Sequence, residues 1–219
     1  MKGYHKIDTV FTRDENKKLT RTFRNPTVEY LKDNDWYFTE KIDGMNIRVY
    51  WDGHEVRFAG RTDSALIPNK LMQKLEEYFG GETNAQMFEQ TFGEMPVMLI
   101  GEGYGAKIQN GGGYVEDGIS QDFVLFDVLV NVDLCNEKYL SFDDVRKIGA
   151  LFNLKCVPIM YLGTLMRGIE LYGEKDCESM LAPLSGKLIE GVVARPAVDI
   201  YDENKKRIIV KIKRRDFIQ

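Results

Sequence analysis

The run Glu40-Lys41-Ile42-Asp43-Gly44-Met45-Asn46 puts one lysine where a nucleophile is useful. Trp36-Tyr37-Phe38-Thr39 precedes it and Ile47-Arg48-Val49-Tyr50-Trp51 follows, aromatic and β-branched stretches that predict two strands joined at a tight Asp-Gly turn. A lysine at a strand end, beside a turn, is held by rigid backbone and stays reachable from a pocket. Taken alone, the pattern fits an ordinary hairpin with a solvated lysine. Segments further along the chain shift the balance toward chemistry.

Arg61 ends the next predicted strand, where its planar fork suits a phosphate or a ribose edge if the strand end faces a pocket. Leu99-Ile100-Gly101-Glu102-Gly103-Tyr104-Gly105-Ala106 formally contains G-x-G-x-x-A, the dinucleotide-binding fingerprint. The following Lys107-Ile108-Gln109-Asn110-Gly111-Gly112-Gly113 cannot open the helix that fingerprint requires, which rules it out. What remains is Glu102 at a strand terminus among glycines, where backbone can approach a ligand closely. Phe123–Val130 is a nearly continuous apolar strand interrupted by Asp127, a carboxylate that needs a cation, a hydrogen-bond cluster or a pocket rim. Phe126 beside it reads first as core. Glu190 starts the strand Ile189–Pro196, with a glycine next to it. In Ile208–Lys213 the alternation of side chains puts Lys211 and Lys213 on one face. Solvent relieves their repulsion on an exposed edge; a polyphosphate relieves it better.

Composition removes other chemistries. His5 and His54 are the two histidines, and no Cys-x-x-Cys occurs, so a zinc site is not expected. His54 sits in Asp52-Gly53-His54-Glu55 and reads as a solvated turn residue. Cys135, Cys156 and Cys177 are widely spaced and odd in number, which argues against a disulfide framework and for a reducing, cytoplasmic location. No apolar run reaches the roughly 18 residues of a membrane span, and the N-terminus lacks the apolar stretch of a secretory signal. A net charge of −4 argues against indiscriminate nucleic-acid binding, although Lys205, Lys206, Arg207, Lys211, Lys213, Arg214 and Arg215 crowd the C-terminal end.

The elements that must position these groups alternate irregularly. Strands are expected near 36–42, 46–51, 55–59, 97–101, 123–130, 189–195 and 207–213, and helices near 65–80, 84–91, 141–153 and 165–181. Ser141 caps the third helix, whose Val145, Ile148, Leu151 and Phe152 recur at helical spacing. Without a βαβ rhythm, the expected class is α+β with mainly antiparallel sheets flanked by helices. At 219 residues the expectation is a single domain spanning 1–219, without a separate C-terminal domain.

The ordered set Lys-x-Asp-Gly, strand-end Arg, Gly-Glu, Phe-Asp, Glu-Gly and Lys-x-Lys resembles the motif series of the covalent nucleotidyltransferase superfamily of polynucleotide ligases and mRNA capping enzymes. The match runs from Lys41 to Lys213. Asn46 and the Phe-x-x-Arg of Arg61 make the chain most similar to the phage-type RNA ligase 2 group. That resemblance implies an adenylation-domain fold with its nucleotide pocket between the sheets. It also implies joining of 3′-hydroxyl and 5′-phosphate ends through a lysyl-AMP, with ATP as donor and Mg²⁺ or Mn²⁺ as cofactor.

By the same resemblance Lys41 is the nucleophile and Lys211 and Lys213 stabilise charge at the α-phosphate. Glu102 accepts from the ribose, Phe126 stacks on adenine, and Arg61 and Asn46 contact nucleotide phosphate or ribose. Glu190 holds a metal ion, with Asp127 as a second candidate, and the backbone flanking Lys41 at Glu40 and Ile42 reads the adenine edge. A lysine with its ordinary pKa near ~10.4 is protonated at neutral pH, so the mechanism needs nearby cations and partial desolvation around Lys41. The implied partner is RNA rather than DNA, gripped with or without an auxiliary nucleic-acid-binding protein by a monomer. A minimal DNA ligase, a GTP-using capping-type enzyme and a noncatalytic nucleotide- or RNA-binding module are the alternatives.

Overall fold

The computed structural model describes residues 2–217. Among them lie strands β1 (Asp8–Thr9), β2 (Phe11–Arg13) and β3 (Leu19–Phe23), helix α1 (Pro26–Tyr30), and strands β4 (Asp35–Glu40), β5 (Met45–Trp51) and β6 (Val56–Ala59). Helices α2 (Asn69–Phe79) and α3 (Gly81–Phe92), strands β7 (Val97–Gly105), β8 (Gln121–Val130) and β9 (Lys138–Tyr139), and helix α4 (Phe142–Leu151) come next. Strand β10 (Ile159–Thr164), helix α5 (Leu165–Tyr172) and strands β11 (Gly191–Pro196) and β12 (Val210–Lys213) complete the order. The α+β class with mainly antiparallel sheets is as the sequence predicts, the exception being the parallel pair β1–β12.

The chain divides into two compact units. One takes Asp43–Cys156 with the N-terminal residues up to His5; the other takes Lys6–Ile42 and the chain from Val157 onward. The two strands around Lys41 therefore do not form the expected hairpin. β4 lies in the sheet β1-β12-β11-β4-β10, and β5 in the sheet β6-β5-β7-β8-β9. Four residues, Lys41 to Gly44, carry the chain from one sheet to the other.

In the first unit, Ile47, Val49 and Trp51 of β5 alternate onto the face covered by α2, α3 and α4, because successive side chains point to opposite sides. Aromatic rings fill that layer: Trp51 stacks on Phe88 at 5.4 Å, Phe79 meets Phe123 edge-on at 5.7 Å, and Phe88 packs on Phe152 at 4.7 Å. Gly101 and Gly103 of β7 belong to this packed face. A Cβ on Gly103 would stand 2.3 Å from Leu71 of α2, and one on Gly101 2.3 Å from the Phe123 ring. The glycine pattern that mimics a dinucleotide fingerprint thus serves close helix–sheet packing.

In the second unit, Trp36 and Phe38 of β4, Val192 and Ala194 of β11 and Val210 and Ile212 of β12 form one core with Leu165 and Ile169 of α5. Helix α5 stops at Tyr172, short of the expected 181. Gly173 follows, and the segment to Glu190 is irregular with one isolated bridge between Glu178 and Leu188. The sequence pattern does not mark strands β1, β2, β3, β9 and β10; each except β10 is five residues or fewer.

Candidate active site

The second unit builds a lysine face by register. Thr39 of β4, Val193 of β11 and Lys211 of β12 stand side by side, and Thr9 of β1 continues the row beyond Lys211. One step along, Lys41 N–H donates to the Gly191 carbonyl at 3.0 Å while Gly191 pairs with Lys213. Lys41 and Lys213 therefore flank a residue with no side chain. A Cβ there would lie 2.0 Å from the Ile212 carbonyl oxygen, so the close strand approach itself requires glycine.

The neighbouring Glu190 carboxylate serves both flanking lysines. Lys41 Nζ donates to its Oε2 at 2.5 Å and Lys213 Nζ forms an ion pair with its Oε1 at 2.6 Å. Burial pushes the Glu190 carboxyl up, but Lys41 and Lys213 outweigh it and hold the group below the ordinary carboxylate range. Lys211 shares the face, since Val210 and Ile212 between and beside the lysines point into the core. Burial, then the charges of Lys213, Lys41 and Lys6, push Lys211 below the usual lysine value, against a smaller opposing pull from Asp8.

Glu40 points the other way. It shares a face with Trp36 and Phe38, is 2% exposed, and ends in the loop after α5. Ser179 Oγ donates to it at 2.5 Å, and the N–H groups of Met180 and Leu181 donate at 3.0 and 3.1 Å. Burial raises its carboxyl above the ordinary value despite those bonds. Its side chain is structural, anchoring the loop beside the Lys41 backbone; Ile42 next to Lys41 is buried too.

The first unit carries the other predicted residues on the open face of its sheet. Asn46 pairs with Glu102 and Arg48 with Ile100. Opposite Ile100 and Gly101, strand β8 presents Asp127 and Leu125, leaving Phe126 as the extra residue of a β-bulge. That bulge turns Phe126 and Asp127 to the same side, the side of Asn46 and Glu102. Without it, strict alternation would send one of them into the helix layer. Gly44 lies close to this row, where a Cβ would sit 3.0 Å from Glu102 Cγ. Asn46 Oδ1 is buried and, among the described residues, has no hydrogen-bond partner. Phe126 is half-buried and packs on the cluster of Met98, Ile100, Leu129 and Val132 that Tyr4 also joins, so the packing role read from the sequence is present.

Tyr4 belongs to no sequence motif. Its hydroxyl donates to Asp127 Oδ2 at 2.8 Å and its ring lies 5.5 Å from that of Phe126. Arg48, fully buried, fixes the N-terminal segment: its guanidinium donates to the Lys2 carbonyl at 2.6 Å, the Gly60 carbonyl at 2.7 Å and Asp63 at 2.8 Å. The alternation Asn46-Arg48-Tyr50 on one strand face is the sequence signal that points to it. Arg61 follows β6 and is exposed. Asp43 accepts from the Asn110 side chain at 2.8 Å.

These positions match a known family. The model of the RNA ligase family matches residues 34–213, from the strand before Lys41 to Lys213 itself. The chain belongs to the RNA ligase family. Among solved structures, an apo mutant of the Naegleria gruberi RNA ligase superposes with a TM-score of 0.64 at 18% identity, over 97% of this chain and 58% of that one. A second mutant of the same RNA ligase, with ATP and Mn, gives a TM-score of 0.63 at 17% identity, over 97% and 60%. A third, with AMP and Mn, gives 0.61 at 18% identity, over 94% and 60%. The chain thus spans less than two thirds of the length of these RNA ligases and shares their fold. A search of curated proteins found no match. Among the described residues, no helix is long and apolar enough to cross a membrane.

Proposed function

We propose that this RNA ligase family member is an ATP-dependent RNA ligase that works through a lysyl-AMP intermediate. The observation that supports it best is the lysine face, on which Lys41 ends a strand beside Lys211 and Lys213 and shares Glu190 with Lys213. A binding module has no need of a lysine held in that way. Asn46 Oδ1, a buried acceptor without a protein donor, adds support from the other unit, because a ligand hydroxyl would satisfy it.

In the proposed reaction Lys41 Nζ, having released its proton, attacks the α-phosphorus of ATP. The N–P bond forms, the bond from that phosphorus to the bridging oxygen breaks, and pyrophosphate leaves with the electron pair. A 5′-phosphate oxygen of RNA then displaces Lys41 and takes the AMP. Finally the 3′-hydroxyl of the other end attacks that 5′-phosphorus, and AMP departs as the phosphodiester forms. Lys211 and Lys213 stabilise charge on the α-phosphate, which accounts for their common face. Phe126 stacks on adenine, Glu102 accepts from ribose, and Arg61 and Asn46 orient nucleotide or RNA phosphate and ribose. The main chain at Glu40 and Ile42 reads the adenine edge.

ATP and a divalent cation are proposed by analogy with the Naegleria gruberi RNA ligase structures that contain ATP or AMP with Mn. No group of three or more His, Cys, Asp or Glu side chains suited to a metal occurs among the described residues. Mg²⁺ fits nonetheless, because it is commonly held by one or two carboxylates and by substrate phosphates. Glu190 is the carboxylate that suits this, being already set against phosphate-binding lysines. When bound, the ion supplies Lewis-acid stabilisation of phosphate charge. Asp127, 1% exposed and bonded by Tyr4, is assigned to holding the Phe126 bulge rather than to the metal.

The test is incubation with α-labelled ATP and Mg²⁺, followed by denaturing electrophoresis. The expected result is a labelled band that pyrophosphate removes and Lys41→Ala abolishes. Label from GTP but not ATP would transfer the reading to a capping-type enzyme, and no label from folded protein would leave a binding module. Nicked and single-stranded RNA and DNA then decide the polynucleotide.

A further inference from the structure

We propose that residues 2–5 back the nucleotide site, with Tyr4 as the positioning residue that holds the Phe126 ring ready to stack on adenine. The inference rests on the proposed ligase function, and on the adenine stack in particular, and adds to them a residue outside the motif series.

Phe126 stands where the sheet gives it least support. It is the extra residue of the bulge, set between the pairs Ile100–Asp127 and Gly101–Leu125, so the ladder does not fix it as it fixes its neighbours. Tyr4 reaches both residues of that bulge. Its hydroxyl donates to Asp127 Oδ2 at 2.8 Å, and its ring lies 5.5 Å from the Phe126 ring at 58°, within the range of an aromatic pair. The bond to Asp127 sets where the Tyr4 ring stands, and that ring limits how Phe126 can turn.

Tyr4 is itself held from both directions along the chain. Two residues before it, the Lys2 carbonyl accepts from the Arg48 guanidinium at 2.6 Å. Directly after it, His5 Nδ1 and the Tyr139 hydroxyl are hydrogen-bonded at 3.2 Å, and the Tyr4 and Tyr139 rings meet edge-on at 6.2 Å. Arg48 is fully buried, which is costly for a cation unless its donors are used. Its other donors take the Gly60 carbonyl, just before Arg61, and Asp63. One guanidinium thus fixes the chain that backs Phe126 together with the chain that carries Arg61. The cluster of Met98, Ile100, Leu129 and Val132 already supplies apolar packing beneath these rings. What Tyr4 adds is order. A ring restricted before ATP arrives gives up less freedom on stacking, and the difference appears as affinity.

The experiment separates the ring of Tyr4 from its hydroxyl. Tyr4→Leu and Tyr4→Phe both lose the bond to Asp127, and only Tyr4→Phe keeps an aromatic ring. Labelling is followed across a range of ATP concentrations, with denaturant melts to verify that each variant is folded. For Tyr4→Leu the KM for ATP should rise by roughly three- to tenfold, the scale of ordering one side chain, while Tyr4→Phe stays near wild type. The labelling rate at saturating ATP should be unchanged in both, because Tyr4 takes no part in the attack by Lys41. If Tyr4 acts through Phe126, its effect vanishes once that ring is gone, so Tyr4→Leu/Phe126→Leu should match Phe126→Leu alone. Tyr4→Met replaces Tyr4→Leu if that variant does not fold. A wild-type KM in Tyr4→Leu beside a raised one in Phe126→Leu overturns this inference alone, as does an equal rise in Tyr4→Phe or an additive loss in the double variant. An unchanged KM in Phe126→Leu overturns the stack and this inference with it, while label on the wild type upholds the ligase function. Absence of label in the wild type overturns all three.

Discussion

Lys41 and Lys213 stand on opposite sides of Gly191 and hold the two oxygens of the same carboxylate, Glu190, at 2.5 and 2.6 Å. The glycine matters because a Cβ at that position would lie 2.0 Å from the Ile212 carbonyl oxygen of β12. Lys41 is thereby tied to β12 through one acidic group, and the fate of Glu190 should show in both stability and chemistry.

Glu190→Gln removes the shared charge while keeping the shape. Its folded-state pKa lies below the reference of 4.5, so the ionised group contributes stability above that value and loses it as pH falls through the depressed one. Wild type should therefore show an extra loss of stability in acid, below about pH 4.5, that Glu190→Gln lacks. At neutral pH the variant should be less stable by about 1–2 kcal/mol, less than the ~3–5 expected for a fully buried pair. Lys41 and Lys213 keep 23% and 17% of their side chains exposed, which accounts for the difference. Urea unfolding from acid to neutral pH measures this, and equal acid slopes in the two proteins would refute it. Labelling by ATP should fall by at least about 100-fold.

Lys211 should show the reverse balance. Its charge is disfavoured by burial and by Lys213, Lys41 and Lys6, so its folded pKa lies below 10.5 and the charged form opposes folding at neutral pH. The penalty is relieved as pH rises through the depressed value toward 10.5. Lys211→Met should raise Tm by about 1–2 °C, the shift of a sub-kilocalorie change in a chain of this size, while labelling drops by about 100-fold or more. A thermal melt and the labelling assay on one preparation decide it. Lower stability together with intact labelling would make Lys211 an ordinary surface lysine.

The residues that bear the motif are readable because their chemistry is local: a strand-end lysine, a Lys-x-Lys alternation, a carboxylate next to glycine. The face shared by Lys211 and Lys213 follows from strand periodicity alone. Pairing is not readable in the same way. Nothing local distinguishes a hairpin at Asp43-Gly44 from a crossing between sheets, since both need the same strands and the same turn residues. The bulge at Phe126 is likewise a two-strand property, visible only when β7 is laid against β8. Tyr4 and Arg48 fall outside the expected site because their partners lie far along the chain, Asp127 in one case and the Lys2 and Gly60 carbonyls in the other. Sequence pattern overextends α5 because apolar residues continue past Gly173 at near-helical spacing, while Glu40 draws Ser179 to Leu181 into an irregular loop instead.

Glu40 supplies a prediction of opposite sign from Glu190. Its folded pKa is raised above 4.5, so its neutral form contributes stability in acid that is lost as pH rises from 4.5 through the raised value. Glu40→Gln, uncharged throughout, should gain on wild type across that window and then run parallel to it at higher pH. Glu40→Ala should instead free the Ser179–Ala182 turn, leaving the Met180 and Leu181 N–H groups without their acceptor. Limited proteolysis should then cut that segment several times faster. Tm against pH for the Gln variant and cleavage rates for the Ala variant check the two halves, and an unchanged cleavage rate would remove Glu40 as the loop's anchor.

Phe126 combines packing with a proposed stack, and two variants can part them. The ring rests on Tyr4 at 5.5 Å and on the patch of Met98, Ile100 and Leu129, so Phe126→Leu keeps most of the apolar contact while losing the π-face. Phe126→Ala loses both. If the ring stacks on adenine, Phe126→Leu should raise the KM for ATP by roughly five- to tenfold with a small change in Tm, because base–aromatic stacking is worth about 1–3 kcal/mol. Tyr4→Phe serves as the complementary variant. It keeps the ring against Phe126 but withdraws a hydrogen bond from a carboxylate only 1% exposed, so stability should fall by about 1–2 kcal/mol with the KM for ATP changed much less. Labelling kinetics and denaturant melts on all three give two independent axes. A Leu variant that melts early and binds ATP normally would mean that Phe126 is core and nothing more.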